Sequence, residues 1–117
     1  MSSSEILVRS KRDPLFGLTA EELVAAFRRK LQGRVREAYF FGGFAAGRMT
    51  SRSDIDLILV QDTSKPFPKR GEDFLDLYDI VPALDLLVYT PQEFAYLTEN
   101  PTLGFWKSVT GTLKRFL

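Results

Sequence analysis

Two short apolar runs, each led by aspartate, constrain this chain more than any other feature: "SDIDLILV" at 53–60 and "ALDLLVY" at 83–89. Four or more successive apolar positions, bounded closely on both sides, predict strands covered on both faces. Such a sheet needs helices on each side, and the sequence around the runs supplies them. "TAEELVAAFRRKLQG" (19–33) opens with Thr19 as N-cap and Glu22 three residues on, a capping box, then places Leu23, Phe27 and Leu31 on one face before Gly33 stops it. Thr90 and Glu93 repeat the capping box, with Pro91 at the first helical position, and predict a helix to about Glu99. "VREAYFF" (35–41) reads as a strand in which Tyr39, Phe40 and Phe41 pack the sheet, and "FAAGRM" (44–49) as a brief helix entered from Gly42 and Gly43. "GEDFLDLYDIV" (71–81) suits a helix with Phe74, Leu77 and Tyr78 on one side; the tail after Asn100 suits a short helix and a final strand. "QDTSKPFPKRG" (61–71) reads as a mobile loop, where Lys65, Lys69 and Arg70 are expected to be solvated. The expected fold class is α/β, a small mixed sheet flanked by helices.

At 117 residues the chain is sized for one core. Residues 19–117 are expected to form that domain and residues 1–18 an arm, in which "EILVR" could pair as a strand and Arg9, Lys11 and Arg12 could meet a partner. The sequence has no Cys and no His. Thiolate nucleophiles, zinc–histidine centres and Ser-His-Asp chemistry are thereby excluded, so any reaction must run on carboxylates, hydroxyls, Lys or Arg, backbone groups or an oxygen-bound metal. Net charge is +1, with ten Lys/Arg against five Asp/Glu in residues 1–53 and six against ten in residues 54–117. That balance is weak support for nonspecific nucleic-acid binding. No apolar run suits a signal peptide or a membrane span, which makes cytoplasmic location the default.

Aspartate is disfavoured in strands, and a carboxylate beside a buried run is costly unless it is paired or bound to a cation. Asp54 and Asp56, two apart, are expected on one face of one strand with Cα atoms roughly 6.5 Å apart. Asp85 opens the second apolar strand as Asp56 opens the first. If the strands are neighbours, three carboxylates converge, and a hard divalent cation such as Mg²⁺ resolves the repulsion between them. Gly42 and Gly43, between a strand and a short helix, would let a phosphate approach backbone N–H groups, with Gly47 extending the permissive backbone. Phe105 and Trp106 are expected in the core, with base stacking the rarer use of such a pair.

The stretch "GGFAAGRMTSRSDIDLILV" (42–60) resembles the nucleotidyltransferase signature: Gly-Ser, a small helix ending in Gly, a short spacer, then Ser-Asp-x-Asp-Leu. It is similar to the minimal nucleotidyltransferases, stand-alone members of the DNA polymerase beta-like superfamily, from about Thr19 to the C-terminus. The resemblance implies that fold, with Asp54, Asp56 and Asp85 as catalytic residues and ligands of two Mg²⁺ ions. It further implies that Asp85 helps deprotonate the attacking hydroxyl and that Gly42, Gly43 and Ser53 bind the triphosphate of ATP or another NTP. Two positions depart from the family pattern: Gly43 replaces the usual Ser, and Ala46 stands where Arg is frequent, with Arg48 or Arg52 as substitutes. With only 32 residues after Asp85, the acceptor is expected on another molecule. The resemblance implies a helical partner of the HEPN type, toxin to this chain's antitoxin, bound or modified by transfer of AMP. The alternatives are a binding module that neutralises its partner without catalysis, favoured by Gly43 and Ala46, and transfer to RNA or to a small molecule.

Overall fold

The computed structural model of the protein describes residue 15 and residues 17–50, 53–101 and 104–117. The expected N-terminal strand, the arm residues Arg9, Lys11 and Arg12, and Arg52 lie outside the described residues. In chain order come α1 (Ala20–Leu31), β1 (Glu37–Phe41), α2 (Gly42–Ala45), β2 (Ile55–Val60), a 3₁₀ segment (Phe67–Asp79), β3 (Leu84–Tyr89), α3 (Pro91–Glu99), α4 (Gly104–Thr112) and β4 (Lys114–Arg115). The sheet order is β3-β2-β1-β4. β1 runs antiparallel to β2 and to β4, whereas β2 and β3 are parallel, so the sheet is mixed. None of the described helices is long and apolar enough to cross a membrane.

Alternation along the strands builds two cores. Ala38, Phe40, Ile55, Leu57, Leu59, Leu84 and Val88 face α1 and the 3₁₀ segment, meeting Leu23, Phe27, Leu31, Phe74 and Leu77. On the other face Phe41, Ile58 and Val60 meet Phe94 of α3 and Val109 of α4. This two-sided burial is why β2 reads as an unbroken apolar run. Both capping boxes form, Thr19 with Glu22 and Thr90 with Glu93, each accepting the other's backbone N–H through its side chain. Leu23, Phe27 and Leu31 of α1 are fully buried, each contributing about 1.5–3 kcal/mol of hydrophobic stabilisation.

Between β2 and β3 the structure departs from expectation. The segment starts at Phe67, inside the expected loop, and is wound as 3₁₀ turns broken at Phe74, where φ is −128° and ψ 23°. Pro66 and Pro68 restrict the residues before them and remove N–H donors, so the i to i−4 ladder cannot build across the start. Phe74 and Leu77 are buried as expected, but Tyr78 is exposed, because a 3₁₀ period of three does not bring it round with Phe74 as an α-helical period would. Of the basic residues expected to be solvated, Lys65 and Lys69 are exposed, whereas Arg70 is not. Lys65 pairs with Asp73 at 2.8 Å. Arg70 is 8% exposed and donates to Glu93 Oε1 at 2.6 Å, to Glu93 Oε2 at 3.2 Å, and to the carbonyls of Lys65 and Val88.

Candidate active site

Sheet register assembles the acidic residues. Asp56 stands opposite Asp85 in the parallel pair and opposite Phe41 in the antiparallel pair. Registered neighbours share a face, so Phe41, Asp56 and Asp85 form one row across three strands, spaced roughly 4.8 Å apart. It is the first row of β2 and β3 on the face that α3 and α4 cover further along, and its carboxylates occupy the end those helices leave open. Asp54 lies just before the strand instead of on it, since β2 begins at Ile55. It is exposed, but its charge still reaches Asp56.

Asp56 is half-buried with acids on two sides. Burial, then Asp85, then Asp54, push its carboxyl up from the ordinary 3.8 to about 6. Among the described residues no Lys or Arg forms an ion pair with Asp56 or Asp85, and no three acidic side chains already stand as a closed set of metal ligands. The donor chemistry fits a hard divalent cation: carboxylate oxygens from two adjacent strands and the turn before them.

The glycine turn abuts this row. Gly42 has φ +70°, and a Cβ there would sit 2.2 Å from Asp56 Oδ2, so only a glycine lets the backbone rest on the carboxylate. Its N–H donates to Thr112 Oγ1 at 2.9 Å. That amide is therefore committed within the protein, so a phosphate contact at this turn would fall to the first-turn amides of Gly43 and Phe44 in α2. Ahead of the acids, Ser53 Oγ accepts the Thr50 N–H at 2.9 Å and lies 3.1 Å from Thr50 Oγ1, closing the turn that delivers Asp54. Arg48, offered as a replacement for the cation absent at Ala46, is exposed, and its N–H donates to the Gly43 carbonyl at 2.8 Å.

The aromatic pair divides. Trp106 packs on the second core, while Phe105, expected inside, is 56% exposed with its ring edge-to-face against Phe41 at 6.3 Å. Phe105 thus stands beside the acidic row. Thr112 was not legible as a site residue: it is 70 positions from Gly42, and no local pattern links the two.

A sequence profile described as nucleotidyltransferase domain matches residues 20–114. The chain belongs to the nucleotidyltransferase domain family. The match runs from the start of α1 into β4, and so takes in the glycine turn, all three acids and Thr112. A Methanocaldococcus jannaschii protein, whose name proposes it as a protein adenylyltransferase, is 40% identical over 42 residues, or 36% of this chain and 42% of that protein. The nucleotidyltransferase domain thus aligns with less than half the length of that relative. A Sulfolobus solfataricus crystal structure, titled as that of a proposed nucleotidyltransferase, is similar with a TM-score of 0.47 and 24% identity, covering 66% of this chain and 68% of the other.

Proposed function

We propose that this nucleotidyltransferase domain transfers a nucleoside monophosphate, AMP from ATP, to a hydroxyl on a partner protein. The carrying observation is the register of Asp56 with Asp85, beside Asp54 and beneath the Gly42 turn. Asp54, Asp56 and Asp85 would hold Mg²⁺. When bound, the metal supplies charge neutralisation and Lewis acidity at the phosphates and the attacking oxygen. The chain's own groups do the rest. The glycine turn positions the triphosphate through backbone N–H groups beside the carboxylates. Asp85, exposed at the open end of the row, accepts the proton of the acceptor hydroxyl as its oxygen bonds to the α-phosphorus. The bond from that phosphorus to the bridging oxygen breaks, and pyrophosphate leaves with the electron pair. No histidine is needed, in keeping with a sequence that has none.

A protein acceptor is supported by the name of the Methanocaldococcus jannaschii relative, and the resemblance to minimal nucleotidyltransferases suggests a HEPN-type helical protein neutralised by this chain as its antitoxin. The test is incubation of the purified protein with the product of the neighbouring open reading frame, α-labelled ATP and Mg²⁺. Label on that protein, lost in Asp56→Asn and on chelation, is the expected result. A tight complex without label would replace transfer by neutralisation through binding, and label only on added RNA or a small hydroxyl compound would move the acceptor to another class.

A further inference from the structure

The geometry points to Thr112, the last residue of α4, as a positioning residue for the glycine turn; its consequence for nucleotide binding rests on the function proposed above. Thr112 Oγ1 accepts the Gly42 N–H at 2.9 Å. Its own O–H donates back along α4 to the carbonyls of Ser108 and Val109, with Oγ1 3.3 Å from each oxygen, which leaves an oxygen lone pair for the Gly42 N–H. α4 is a firm support, because Val109, three residues earlier, is buried in the second core. On the other side of the turn, Gly42 has little room to move toward Asp56, whose Oδ2 would stand only 2.2 Å from a Cβ at that position. The turn is thus held between a hydroxyl that pulls on its N–H and a carboxylate that blocks its Cα. Loss of the hydroxyl frees Gly42 to shift away from the row. That shift changes the spacing between the Gly43 and Phe44 amides and the acids, the spacing on which joint binding of phosphate and metal depends. The methyl of Thr112 takes no part in this, so a serine should serve and a valine should not.

The experiment compares wild type with Thr112→Val, Thr112→Ala and Thr112→Ser. It follows amide hydrogen exchange at Gly42 by NMR, with Ile58 as a core reference, and the affinity for Mg·ATP by calorimetry. In the Val and Ala variants Gly42 exchange should rise by about fivefold or more relative to Ile58, and the Kd for Mg·ATP by about five- to tenfold, the scale of one hydrogen bond. Thr112→Ser should return both to within about twofold of wild type. A merely structural role would instead lower the thermal midpoint of all three variants and move Gly42 and Ile58 together. The proposal is overturned if Gly42 keeps its wild-type exchange in a folded Val or Ala variant, or if Ser behaves as Val does. Should wild type bind no Mg·ATP, the proposed function fails, and the exchange result alone decides the role of Thr112.

Discussion

Gly42 rests directly on Asp56: a methyl group added to the glycine would come within 2.2 Å of the aspartate Oδ2, on a backbone whose φ is +70°. Both constraints act against Gly42→Ala. The left-handed conformation costs about 1–3 kcal/mol for a residue with a side chain, and relief of the clash must displace either the turn or the carboxylate. Nucleotide transfer by Gly42→Ala should fall by about a hundredfold, since a displacement of about 1 Å is enough for that. Steady-state kinetics beside a urea denaturation curve checks both effects. Wild-type turnover in a folded variant would separate the turn from the chemistry.

Gly43 behaves differently although it is the next residue. Its φ is not positive, and a Cβ would meet Arg48 O at 3.5 Å, an ordinary contact. Gly43→Ser, which installs the residue usual in similar signatures, should change stability by no more than about 0.5 kcal/mol. The added hydroxyl, beside an amide expected to face phosphate, should lower KM for the nucleotide by about three- to tenfold, as a hydrogen bond to a charged group can. An unchanged KM in a folded Gly43→Ser protein would place this position away from the triphosphate.

Asp56 gives the ligand-free protein a pH dependence of definite sign. Its carboxyl titrates near 6 in the fold, held up by burial, Asp85 and Asp54, against 3.8 ordinarily. The fold therefore favours the protonated form. This group's contribution is fully present below about pH 4 and is lost as pH rises through about 6. Asp76 and Glu93, whose carboxyls are lowered by Arg34 and Arg70 respectively, act in the opposite sense, losing stability as pH falls through their folded values. The measurable quantity is thus the difference between wild type and Asp56→Asn in urea unfolding from pH 4 to 7 without Mg²⁺. Asp56→Asn should gain on wild type across that interval, by on the order of 1 kcal/mol once solvent screening of a half-exposed group is allowed for. It should also lose transfer activity by at least about a thousandfold, several kcal/mol of transition-state stabilisation. A difference that is flat with pH would remove the acid cluster as the cause.

What could be read from the sequence was what depends on neighbours along the chain. Thr19 with Glu22 and Thr90 with Glu93 are three apart, and both capping boxes are present. Asp56 and Asp85 each open an apolar run, and the matching positions in those runs proved to be the register of the parallel pair. The phase of the 3₁₀ segment was not legible, because an amphipathic pattern of Phe74, Leu77 and Tyr78 suits an α-helical period and only the prolines hinted otherwise. Nor were the contacts that close across the fold. Arg70 reads as one of three loop cations until α3 brings Glu93 to it from 23 positions away, and Phe105 reads as core until α4 leaves its ring at the surface beside Phe41.

The Arg70–Glu93 pair supplies the clearest stability prediction. Arg70 is buried, and four of its N–H groups are engaged, with two bonds to Glu93 and two to backbone carbonyls. Glu93 also accepts the Thr90 N–H at 2.9 Å, so a single carboxylate both caps α3 and fastens the 3₁₀ segment to it. Removal of Glu93 strands a buried guanidinium and uncaps the helix together. Glu93→Ala should destabilise by about 2–4 kcal/mol, somewhat below the range for a fully buried pair because Glu93 is itself partly exposed. Arg70→Met, which removes the buried charge and leaves an exposed carboxylate still able to cap α3, should cost less than Glu93→Ala. Both residues lie toward the C-terminal end of β3, away from the row that Asp85 begins. Activity at a temperature where each variant is folded should therefore stay within about threefold of wild type. Equal losses in the two variants, measured by urea unfolding, would show that the stranded charge is not what makes Glu93→Ala severe.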